Sequence, residues 1–191
     1  MRRLLPNAIT AVRLLLVPLF CVSLFGGRAV LAPVLLVVIA LSDWLDGFLA
    51  RRYRAESRLG ALLDPVADKL TQILGLAVLV HAPAPAFAPV PPFFLSLVLM
   101  RELMLVYGAL RVRFSRGTIR IRARFEGKAS TVAIFVLLLA ACLDAPPPVI
   151  WVLVLLGTPF VVVSGARYMI DGHRQMRREG ASGAEATAGR T

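Results

Sequence analysis

Four aspartates stand inside otherwise apolar stretches of this 191-residue chain, Asp43 and Asp46 in one stretch and Asp64 and Asp68 in the next. An acid within a membrane-spanning helix costs at least ~2.5–3.5 kcal/mol on insertion scales, so each needs a partner. Asp43 and Asp46 are three residues apart and Asp64 and Asp68 four apart, so each pair shares one face of a helix. The short basic linker between the stretches makes the two helices antiparallel neighbours, with the pairs at similar depth, about two turns from one membrane face. Four carboxylates without enough nearby cations to neutralise them must hold protons or bind metal. Oxygen-only ligands favour Mg²⁺, Mn²⁺ or Ca²⁺ over zinc. Two bridged ions would stabilise the entering and leaving oxygens of a phosphoryl-type displacement. His81 and His173, the two histidines, are placed at the opposite membrane face and in the C-terminal tail, where neither joins the cluster.

Small residues surround the acids. Gly47 follows Asp46, Ala50 lies about one turn on, and Gly60 precedes Asp64 by one turn. Close helix packing alone would explain any one of them. Beside four buried acids they fit better as places where a flat ring or a phosphate meets the backbone. Arg51, at the mouth, could pair with that phosphate.

The elements that must position these residues are helices. Hydrophobic residues make up 58% of the chain, against about 45–50% in an average soluble domain, and the mean hydropathy is +0.77. The excess falls in blocks of about twenty residues, the length of a membrane-crossing helix. Six spans are read: Leu4–Phe25, Ala29–Ala50, Leu59–His81, Pro92–Val112, Lys128–Leu143 and Val149–Met169. The fifth is short and can extend at its start. The linkers alternate in charge. Arg2 and Arg3, then Arg51–Arg58, then Arg111–Arg124 and finally Arg174–Arg178 are basic, whereas Gly26–Arg28, Ala82–Pro91 and Asp144–Pro148 hold one basic residue between them. An even number of crossings puts every basic segment on one side, which the positive-inside rule makes cytoplasmic. The expected fold is therefore all-α, a bundle of six transmembrane helices with both termini cytoplasmic. Residues 1–171 form the membrane domain, and the polar residues 172–191 form a tail that is disordered beyond a short juxtamembrane helix.

The formal net charge of +11 does not indicate nucleic acid. The cations sit in particular loops, a distribution that suits an anionic membrane face and phosphate-bearing substrates. The segment Arg111–Phe125 alternates Arg with apolar residues and reads as an interfacial helix, a short basic hairpin, or a loop that only sets topology. Cys21 and Cys142 are isolated in apolar runs and give no disulfide framework. Arg2-Arg3 before an apolar stretch also begins a signal peptide. Asn7, Thr10 and Arg13 interrupt that stretch early, and no clean cleavage site follows, so it is expected to stay as the first span.

Read together, the stretch Asp43-x₂-Asp46-Gly47-x₂-Ala50-Arg51-x₈-Gly60-x₃-Asp64-x₃-Asp68 resembles the signature of the CDP-alcohol phosphotransferase family, with eight fixed residues over twenty-six positions. The resemblance implies that Asp43, Asp46 and Asp64 hold two divalent ions, Mg²⁺ or Mn²⁺. It implies that Asp68 completes the metal site and takes the proton from the acceptor hydroxyl. Gly47, Ala50, Arg51 and Gly60 would line the CDP pocket. The implied reaction breaks the pyrophosphate of CDP-diacylglycerol, releases CMP and leaves a phosphodiester.

Within the family, Pro6-Asn7-x₂-Thr10-x₂-Arg13, Leu63-Asp64-Pro65-x-Ala67-Asp68-Lys69, Arg101-Glu102 and Gly127-Lys128-x₂-Thr131 resemble phosphatidylglycerophosphate synthases and the related cardiolipin synthases. Ile134 departs from the first group, which often has glutamine there. A phosphorylated acceptor needs a cationic pocket. Arg101, Gly108 and Arg111 fall near one face of the fourth helix, and Lys128 and Thr131 share a face of the fifth. Arg101, Arg111, Lys128 and Thr131 are therefore the candidate acceptor ligands, with Arg gripping a phosphate as a fork and Lys as a point charge. Arg101-Glu102 could equally be a structural ion pair, and Lys128 a snorkelling anchor.

The acceptor expected is glycerol 3-phosphate, with phosphatidylglycerol, as in cardiolipin synthesis, or another small alcohol as the alternative. The other partners are membrane lipids and no nucleic acid; a second copy of the chain is allowed, but no residue specifies it. The place is a cell inner or plasma membrane, multi-pass, with the active site facing the cytoplasm. A divalent-cation or proton transporter would explain the buried acids but not Gly47, Ala50, Arg51 and Gly60, and no inverted repeat is visible. An intramembrane aspartyl protease would use two aspartates and no metal. A scaffold would not carry four costly acids in full motif order.

Overall fold

The computed structural model describes residues 4–53, 60–81, 86–114 and 125–188. Those residues form six helices and no strand: α1 (Leu4–Phe25), α2 (Leu31–Tyr53), α3 (Gly60–His81), α4 (Pro92–Phe114), α5 (Phe125–Cys142) and α6 (Pro147–Ala188). All six stretches read as spans from hydropathy are helical. The basic linker residues 54–59 and 115–124, including most of the Arg111–Phe125 segment, lie outside the described residues.

The chain divides into two compact units, Met1–Leu95 with Ile134–Val154, and Ser96–Ala133 with Leu155–Thr191. In the first, α1 packs against both α2 and α3. Its buried stripe is Arg13, Val17, Phe20 and Leu24, spaced four, three and four residues apart as one helix face requires. Leu35, Leu36 and Ile39 of α2 and Leu76 and Leu79 of α3 are buried in the same unit, with Leu137, Leu138 and Ala141 of α5. Gly75 permits the close approach: a Cβ there would stand 3.0 Å from Phe20 Cε1 and 3.2 Å from Leu138 Cδ2.

Two helices end in the same way. Arg28 N donates to Ser23 O at 2.9 Å and Gly27 N to Leu24 O at 3.1 Å, closing α1 with Gly27 at φ 65°. Ala145 N donates to Ala140 O at 3.0 Å and Asp144 N to Ala141 O at 3.1 Å, closing α5 with Asp144 at φ 54°. Both are Schellman caps, whose left-handed position suits glycine best and tolerates aspartate. Pro147 then opens α6, where its missing N–H and fixed φ cost nothing.

The outer faces are apolar: Leu15 is 73% exposed and Leu103 69%. Among the described residues one stretch is long and apolar enough by itself to cross a membrane, Pro147–Arg167 of α6. Its 21 residues make about 31 Å of helix, the thickness of a bilayer core. Val12–Phe25, Leu31–Leu45 and Gly127–Cys142 are apolar but shorter. Six spans are expected from the sequence, and these three stretches stop where the described side chains stop. Helix α6 also continues to Ala188, through the segment from Gly172 for which composition predicted a short helix followed by disorder. Its Arg, Glu, Gln, Met and Ala content has high helix propensity.

Candidate active site

Of the eight motif positions, Asp43, Asp46, Gly47, Ala50 and Arg51 lie on α2, while Gly60, Asp64 and Asp68 lie on α3. Side chains are described for Asp43 and Asp68; those of Asp46, Ala50, Arg51 and Asp64 lie outside the described residues. Among the described residues no group of three or more acids, cysteines or histidines comes together.

Asp43 has a partner that its helix alone would not reveal. Arg13 Nη1 lies 2.8 Å from Asp43 Oδ1, with the arginine side chain 1% exposed and the aspartate 54% exposed. Arg13 sits on the buried stripe of α1, where a guanidinium without a counter-charge would be strongly disfavoured. Its Nε also donates to Ser42 Oγ at 3.5 Å, and Ser42 Oγ donates to Ile39 O at 2.7 Å. Arg13 thus ties α1 to the turn of α2 that carries the first motif acid. Because Asp43 is half exposed and faces Arg13 through Oδ1, its carboxylate keeps accessible surface for a ligand. A half-open carboxylate in an all-oxygen donor set fits a hard divalent cation.

Asp68 is held from its own helix. Gln72, four residues on and 3% exposed, directs Nε2 at both carboxylate oxygens, 3.2 Å from Oδ1 and 3.3 Å from Oδ2. Beside it, Thr71 is buried and donates to Ala67 O at 2.9 Å. Sequence reasoning missed Gln72. The signal was there: an amide four positions after a motif acid, within an apolar run.

In the second unit, Arg101 is 4% exposed and pairs with Glu102, which is also buried. Its Nε donates to Ser164 Oγ at 3.3 Å and its Nη2 to Gly127 O at 3.4 Å. Gly127 O accepts as well from Ser130 Oγ at 2.9 Å and Thr131 Oγ1 at 3.2 Å. Arg101 on α4 therefore braces the start of α5 and the Ser164 turn of α6. Of the four candidate acceptor ligands, Arg101 and Thr131 spend hydrogen bonds inside the protein, Lys128 is exposed, and the Arg111 side chain lies outside the described residues. Gly108 has open space around it. Ile134, which stands where glutamine was the alternative, is fully buried in the first unit.

The fold and the acid pattern define an all-helical protein with motif carboxylates on two consecutive helices. The chain belongs to the CDP-alcohol phosphatidyltransferase family, whose profile matches residues 3–173, and it is a transferase. It is 33% identical over 165 residues to a CDP-diacylglycerol–glycerol-3-phosphate 3-phosphatidyltransferase of Pseudomonas fluorescens, covering 84% of this chain and 82% of that one. A protein of the same name from Wigglesworthia glossinidia brevipalpis is 37% identical over 84 residues, 42% of this chain and 46% of its own. A Mycobacterium bovis protein named "Putative cardiolipin synthase" is 33% identical over 132 residues, 69% of this chain and 60% of its own.

Proposed function

We propose that this transferase moves the phosphatidyl group of CDP-diacylglycerol onto glycerol 3-phosphate, in the synthesis of membrane phospholipid. The observation that carries the choice of acceptor is the likeness to the Pseudomonas fluorescens protein of that name, which spans 84% of the chain. The acceptor hydroxyl oxygen attacks the phosphatidyl phosphorus. The pyrophosphate P–O bond breaks, CMP departs, and Asp68 takes the hydroxyl proton. Asp43, Asp46, Asp64 and Asp68 would hold Mg²⁺ or Mn²⁺, two ions in this reading, whose Lewis acidity would stabilise the charge of the reacting pyrophosphate. Arg13 fixes Asp43 for that task. Gly47, Ala50, Arg51 and Gly60 line the CDP side. Lys128 and Arg111 take the acceptor phosphate, with Arg101 and Thr131 shaping the turn that presents Lys128.

The second reading, phosphatidylglycerol as acceptor, is favoured by the Mycobacterium bovis likeness and by Ile134 in place of glutamine. The purified protein with labelled CDP-diacylglycerol, offered glycerol 3-phosphate, phosphatidylglycerol, inositol phosphate or serine, separates the two. Release of CMP with glycerol 3-phosphate and formation of phosphatidylglycerophosphate support the proposal. Release with phosphatidylglycerol but not glycerol 3-phosphate moves the assignment to cardiolipin synthesis.

A further inference from the structure

Gln72 presents a problem of energetics. A hydrogen bond to a charged group, here from Gln72 Nε2 to the Asp68 carboxylate, contributes about 1.5–3 kcal/mol. Gln72 is 3% exposed, and among the described residues its Oε1 has no hydrogen-bond donor. An unsatisfied buried carbonyl costs about 1–3 kcal/mol. The cost offsets the gain, so the pair adds little net stability. The amide is also held in the costly orientation. Turning it over would set Oε1 against the Asp68 carboxylate, oxygen to oxygen. What the glutamine gains is a hold on the carboxylate: one Nε2 lies nearly equidistant from both oxygens, at 3.2 and 3.3 Å, and opposes rotation of the Asp68 group.

We propose that Gln72 is a positioning residue that holds the Asp68 carboxylate in the orientation that meets the acceptor hydroxyl. This rests on the reading of Asp68 as the group that takes the acceptor proton. Without Gln72 the carboxylate loses the amide that faces both its oxygens, and fewer of its orientations meet the hydroxyl at the productive angle. Substrate binding, which depends on other side chains, is little altered. The signature is a loss in kcat without a matching rise in either KM.

The test uses the full-length purified enzyme and three variants. Gln72→Met keeps length and removes the amide, Gln72→Asn keeps the amide and removes its reach, and Thr71→Val removes the neighbouring buried hydroxyl, which does not touch Asp68. Misorientation of a reacting group costs on the order of tenfold to a hundredfold. Both Gln72 variants should lose at least about tenfold in kcat, with the KM for CDP-diacylglycerol and for glycerol 3-phosphate each within about threefold, while Thr71→Val stays within about twofold of wild type. If Gln72→Met does not fold, Gln72→Asn decides. Wild-type kcat in a folded Gln72 variant, a KM rise that accounts for the loss, or an equal loss in Thr71→Val overturns the proposal while wild-type CMP release leaves the functional reading standing. If wild type releases no CMP with any acceptor, the functional reading falls and takes the role of Gln72 with it.

Discussion

Arg13 and Asp43 share an ion pair but not an environment, and the asymmetry predicts how each substitution behaves. Removing Asp43 takes a carboxylate from a guanidinium at 1% exposure, whereas removing Arg13 leaves a carboxylate that is already 54% exposed. Asp43→Ala should therefore destabilise by on the order of 3 kcal/mol, and Arg13→Met by clearly less. Thermal unfolding in detergent checks the order, and the reverse order would show that Arg13 acts chiefly through packing. At the reaction, Asp68→Asn should abolish turnover yet keep most binding of CDP-diacylglycerol. Asp43→Asn and Asp64→Asn should also lose divalent-metal binding, measured by titration calorimetry. An ordinary aspartate, with a pKa of about 3.9, is a weak base in water, and it suffices if proton transfer comes late. The acids were legible from spacing alone. Their partners were not: Arg13 lies thirty residues from Asp43, and only the packing of α1 on α2 brings them together. Gln72 was legible in principle, but its orphaned carbonyl depends on burial, which no local pattern reveals.

At the scale of elements, the positions of all six helices followed from apolar blocks, and the first matches from Leu4 to Phe25. The ends were less legible. Phe125 rather than Lys128 opens α5, and α6 runs to Ala188, because helix propensity carries a helix past the point where hydropathy stops. Nor could sequence show that Arg101 braces α5 and α6, since Ser164 is sixty-three residues away. Two substitutions test the packing described. Gly75→Val should destabilise by about 1–3 kcal/mol through overpacking, because its Cβ meets Phe20 and Leu138. Asp144→Gly should stabilise by about 1 kcal/mol by placing glycine at the left-handed cap of α5. Thermal unfolding of the two variants beside wild type reads both. A neutral Gly75→Val would mean that this approach of α1, α3 and α5 is looser than described.

For the molecule as a whole, we read all six helices as crossing the membrane, with the basic linkers and both termini in the cytoplasm. The support is the apolar outer surface, the 21-residue crossing stretch of α6 and the one-sided distribution of arginine. A single cysteine at Ala86, in a chain whose Cys21 and Cys142 have been replaced, should react with an impermeant maleimide in intact cells. Labelling only after permeabilisation would overturn the span count and the placement of the site.

The central claim is direct transfer at the aspartate site, from CDP-diacylglycerol to the acceptor, with no enzyme-bound phosphatidyl group. Rapid quench of enzyme in excess over doubly labelled CDP-diacylglycerol tests it most directly, run with and without glycerol 3-phosphate. Direct transfer predicts no CMP above background without the acceptor and, with it, CMP and phosphatidylglycerophosphate appearing together in equal amounts. A burst of CMP without acceptor, matched by phosphatidyl label retained on the protein, would contradict it.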